Sequence, residues 1–134
     1  MATGTLGTTA RDYPSRVERI AVNINFNNIG AGQSVKIGTV PAGSGLIRAG
    51  TIVGTVFNSA TTNNFSVGTA SGGAQLVAAA AIGAVGINTS TIVAAQAGPL
   101  AADTPIWLTG IFAPAAPTTG NALFVLEWAN PSAG

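Results

Sequence analysis

Apolar and polar residues alternate along most of this chain with a period of two. Ile20, Val22, Ile24 and Phe26 are separated by Ala21, Asn23 and Asn25, the pattern of a half-buried strand rich in β-branched residues. Turn chemistry follows in Asn27-Asn28-Ile29-Gly30-Ala31-Gly32. Val35 and Ile37 then alternate with Lys36 and Gly38, before the turn Pro41-Ala42-Gly43-Ser44-Gly45. Residues 46–58 read as a longer strand, with Ile52 and Val56 on one face and Val53, Thr55 and Phe57 on the other. Gly50 and Gly54 within it suggest a bulge or a close backbone approach. Phe65 and Val67 flank Ser66 in a short strand after a polar stretch. Pro105 opens a strand through Phe112, and residues 121–129 form the last. In that last strand Leu123, Val125 and Glu127 share one face, and Phe124, Leu126 and Trp128 the other.

Residues 74–98 are ambiguous. Four consecutive Ala, 78–81, favour helix, whereas Gly83, Gly86 and the β-branched Val77, Val85, Ile87, Ile92 and Val93 favour strand. The expectation is a short helical turn near 76–82, followed by strand. Seven or eight strand candidates separated by Gly/Pro turns, with no long helix, predict an all-β chain: a β-sandwich or jelly roll. The sandwich is expected over 16–130, with the first and last strands side by side. An extended, Gly/Thr-rich N-terminal arm is expected at 1–15 and a C-terminal tail at 131–134.

Composition narrows the chemistry. Only 7% of the 134 residues are charged, five basic against four acidic. One Lys and four Arg are too few for a basic face that neutralises phosphates, so no nucleic-acid partner is expected. Low charge leaves little repulsion between copies and favours assembly. The most apolar run, 76–87, is too short to span a bilayer, and no membrane partner is expected.

The chain has no His and no Cys, the commonest general base and the commonest reactive thiol. No cofactor or metal is expected, and the chain reads as a non-enzyme. Asp103 and Glu127 could in principle form a carboxylate pair of the glycosidase kind. The favoured alternative places Asp103 in a turn and leaves Glu127 to balance an Arg. Gly30-Ala31-Gly32 and Gly43-Ser44-Gly45 lack the further glycine and helix of a phosphate loop and read as hairpin turns. Trp107 and Trp128 are expected in the core or at a subunit interface.

The segments AGTIVGTVFNSATTNNFSVGT (49–69), LVAAAAIGAVG (76–86), PLAADTPIWLTG (99–110) and NALFVLEW (121–128) together resemble small virion proteins of tailed bacteriophages, the cement or decoration proteins of the head. The resemblance covers roughly residues 44–129. It implies a structural protein on the outer surface of the capsid that bridges neighbouring major capsid protein subunits. A homotrimer is expected, and no catalytic motif carries over. The alternative is a tail or fibre module that binds a receptor. Five of the nine charges cluster in Arg11, Asp12, Arg16, Glu18 and Arg19. These are the candidate partner contacts, on a segment 1–19 expected to lie outside the sandwich and reach a neighbouring subunit or the major capsid protein.

Overall fold

The computed structural model describes residues 16–130, so the expected arm and tail lie outside the described residues. Eight strands follow in order: β1 (Arg16–Asn25), β2 (Ser34–Val40), β3 (Gly45–Thr55), β4 (Thr62–Gly68), β5 (Val77–Ala81), β6 (Gly86–Ser90), β7 (Thr104–Ala113) and β8 (Asn121–Asn130). A single 3-10 turn, Ala94–Gln96, precedes β7.

Each strand pairs antiparallel with the one that brings the two numbers to nine: β1 with β8, β2 with β7, β3 with β6 and β4 with β5. This is the pattern of one long antiparallel ribbon rolled up on itself. Two further pairings, β3 with β8 and β4 with β7, close the roll. The result is two four-stranded sheets, β1-β8-β3-β6 (sheet A) and β2-β7-β4-β5 (sheet B), the arrangement of a jelly roll.

Alternation along the strands decides which side chains form the core. In the β1–β8 ladder Ile24 faces Ala122, Val22 faces Phe124 and Ile20 faces Leu126, and these look inward. Sheet B answers with Val67 and Leu108, which are paired, and with Phe65, Ile106 and Phe112. Phe57 sits between the sheets, edge-on to Phe65 and stacked on Phe112, with both centroids 5.7 Å away. Edge-to-face and offset ring pairs of this kind add to the gain from burial. Gly120 is held at φ 146°, and a Cβ there would collide with the Phe57 ring. Glycine at 120 therefore lets the chain enter β8 directly beneath that ring.

Three expectations are corrected. Residues 77–81 form strand β5, not a helical turn. Val77, Ala80 and Ile82 are buried, and the backbone pairs with β4. One residue of β4, Ser66 between Phe65 and Val67, faces two of β5, Ala78 and Ala79 between Val77 and Ala80. That bulge lets an Ala-rich run with broken alternation join a sheet. The glycine turns at 30–32 and 43–45 are not hairpins, because they connect β1 to β2 and β2 to β3 and so cross between sheets. Segment 1–19 does not lie wholly outside the sandwich, since β1 begins at Arg16 and pairs with β8, Arg16 opposite Asn130 and Arg19 opposite Glu127.

Candidate interaction face

The outer surfaces of the two sheets are treated differently. On sheet B, Ser34, Ser66 and Thr109 stand in one cross-strand row on the side away from the core. The 69–75 loop folds over them. Gly72 N–H donates to Ser34 Oγ (2.8 Å), Ser66 Oγ donates to the Gly73 carbonyl (3.2 Å), and the Ser34 and Thr109 hydroxyls bond at 2.8 Å. Ser66 and Thr109 are buried as a result. The chain thus covers this part of sheet B itself.

Sheet A keeps its outer face open, and strand register sets its rows. Asn23, Leu123, Ile52 and Ile87 form the first, and Ala21, Val125, Gly50 and Thr89 the second. Arg19, Glu127 and Arg48 form the third. The apolar rows are exposed: Ile87 at 78%, Ile52 at 45%. Gly50 makes a dip between Val125 and Thr89, the floor of a groove of about 230 Å³ bounded by Ile52, Ile87 and Arg48. A Cβ on Gly50 would come within 2.9 Å of the Asn88 carbonyl oxygen, so glycine permits both the groove and the close approach of β6.

The charged row closes one end of the groove. Glu127 is nearly buried, its carboxylate shared between Arg48 Nε at 2.6 Å and Arg19 at 3.6 Å. Both arginine side chains are about two-thirds exposed, 67% and 69%. Two cations against one carboxylate leave this end of the face with a positive surplus.

The sequence candidates fall as follows. Arg11 and Asp12 lie outside the described residues, and Arg16 opens β1 opposite Asn130. Glu18 accepts a hydrogen bond from Asn130 Nδ2 at 3.1 Å, and Arg19 joins Glu127. Glu18 and Arg19 thus have partners within their own chain. Asp103 and Glu127 do not form a cleft pair. Asp103 accepts the Ala42 N–H at 2.9 Å just before β7 of sheet B, whereas Glu127 lies on the outer face of sheet A. Trp128 is buried in the core, and Trp107 is half-buried on the outer side of sheet B opposite Lys36. No cluster of three or more His, Cys, Asp or Glu that could hold a metal occurs among the described residues.

Arg48, Ile52 and Ile87 escape a sequence reading. Their one visible signal is Glu127, a lone carboxylate inside an otherwise apolar strand, which requires a cation from a neighbouring strand.

A second depression, between 58–60 and 114–118, is bridged by Asn58. Its amide donates to Thr118 Oγ1 and accepts the Thr118 and Thr119 N–H groups. It reads as loop stapling.

No protein-family model matches the chain, and no curated protein matches it. Among solved structures, the chain is similar to one from the capsid of Ralstonia phage GP4, at 19% identity and a TM-score of 0.57. The likeness covers 86% of this chain and 83% of that one. At this identity the two chains share a fold, and that fold is the two-sheet roll described above.

Proposed function

We propose that this chain is a structural virion protein of a bacteriophage, a cement or decoration protein on the outer capsid surface that bridges neighbouring major capsid protein subunits. The observation that carries the reading is the eight-stranded roll shared, over most of both chains, with a chain from a phage capsid. Two physical features support it. The chain carries nine charges in 134 residues, which suits repeated close packing of identical surfaces. Sheet A also leaves apolar side chains open on a flat face, as an interacting surface does.

In this role the charged stretch Arg11, Asp12, Arg16, Glu18 and Arg19 contacts the neighbouring subunit. Glu18 and Arg19 act from strand β1. The test is quantification of the chain in purified particles by gel densitometry. A decoration protein appears in numbers comparable to the major capsid protein. Absence from the particle overturns the virion role, and a few copies per particle assign the chain to the tail or fibre instead.

A further inference from the structure

The open face of sheet A is complementary in charge to a feature of the same chain. Residues 99–103, Pro-Leu-Ala-Ala-Asp, project between the 3-10 turn and β7, with Pro99, Ala101, Ala102 and Asp103 exposed. The loop is held from beneath by three hydrogen bonds. Leu100 N–H donates to the Ser44 carbonyl (2.9 Å), Gly43 N–H to the Leu100 carbonyl (2.7 Å) and Ala42 N–H to Asp103 Oδ1 (2.9 Å). A loop fixed in this way loses little entropy on docking.

Asp103 is also the carboxylate left over. Among the described residues, Glu127 is taken by two arginines and Glu18 is half-buried against Asn130, while Asp103 is exposed and faces no cation. The cationic surplus lies at Arg19 and Arg48, at the end of the Gly50 groove.

We propose that the groove on sheet A receives the 99–103 loop of a second copy. The Asp103 carboxylate of the incoming copy meets Arg48, and its small apolar residues fill the dip at Gly50 beside Ile52 and Ile87. The contact is head-to-tail, because donor loop and acceptor groove are different surfaces, and such contacts close into rings when the rotation allows. A two-fold contact of groove on groove is disfavoured, since it would set four arginines against two carboxylates. The proposal deepens the virion reading and rests on it in treating the chain as a repeating unit. Its test uses the purified chain alone, so its failure and that of particle binding are separable.

The experiment is sedimentation equilibrium of the full chain and its variants up to about 100 µM, with thermal unfolding as the control for folding. The wild type is expected to associate, most simply as a ring of three. Ile87→Asp, at the most exposed position of the groove, is expected to give a monomer with an unchanged unfolding midpoint. Asp103→Asn keeps an acceptor for Ala42 N–H yet is expected to weaken association about tenfold, the size of one charge-assisted contact. Arg48→Asp and Asp103→Arg are each expected to give monomers, and the two together to recover association. A monomeric wild type overturns the proposal. So does an oligomer insensitive to Ile87→Asp or to Asp103→Asn, or a double reversal no tighter than either single variant.

Discussion

At the residue scale, the clearest dependence is on Gly120. Two costs coincide there: a left-handed φ of 146° and the contact with the Phe57 ring. Gly32 isolates the first, because it has φ 72° and open space around its Cβ position. Gly32→Ala is expected to cost about 1–2 kcal/mol, the penalty of a left-handed L-residue. Gly120→Ala is expected to cost more, by about 1–3 kcal/mol, since the overpacked ring must move as well. Chemical denaturation of the two variants side by side measures the difference. Equal losses would show that the ring yields freely.

Ser44 offers the opposite sign. It is fully buried, and its hydroxyl has no hydrogen-bond partner among the described residues. Ser44→Ala removes an unsatisfied polar group and is expected to raise stability by about 1 kcal/mol. A loss on the same denaturation curve would mean that the hydroxyl is satisfied in solution.

Glu127 links the residue and element scales, because it joins β1, β8 and β3 through their outward side chains. Its arginine partners are two-thirds exposed, so most of their attraction is screened. Glu127→Gln is therefore expected to lower stability by about 1 kcal/mol, and by less in 1 M salt, where the Debye length is about 3 Å. A salt-independent loss would identify packing, not charge, as the contribution of this side chain.

At the element scale, β5 carries the lesson about what is legible in the sequence. Strands β1, β7 and β8 are plain there because apolar residues recur at every second position, as in Ile20, Val22 and Ile24. Their alternation survives into the register, as in Val22 against Phe124. The Ala78–Ala81 run has no such contrast, and alanine's own propensity points toward helix. The tertiary pairing with β4, bulge included, decides the matter. The glycine turns misled for a related reason. Their residues specify a reversal but not whether the next strand rejoins the same sheet, which depends on partners more than sixty residues away, such as Ser34 with Thr109. The sheet A face was illegible because Arg19, Arg48 and Glu127 come together only through register. Ala81→Val distinguishes the two readings of β5. At this exposed strand position the β-branched residue is expected to leave stability unchanged or raise it by up to about 1 kcal/mol. A loss of helix-propensity size would support the helical form.

At the scale of the whole molecule, the fold separates what holds the domain together from what faces outward. Phe57, Phe65, Phe112, Phe124 and Leu126 lie in one core between the sheets. Deleting 1–15 is thus expected to leave the unfolding midpoint within a few degrees of wild type, while binding to empty heads falls and the residual binding weakens with salt. Unchanged affinity would remove those residues from the interface.

The central claim is that this roll is a building block of a phage particle. Electron cryomicroscopy of purified particles tests it most directly. The predicted result is a two-sheet roll repeated over the outer capsid surface, seated on the major capsid protein. A map whose capsid surface carries no such density, from particles free of this chain, would contradict it.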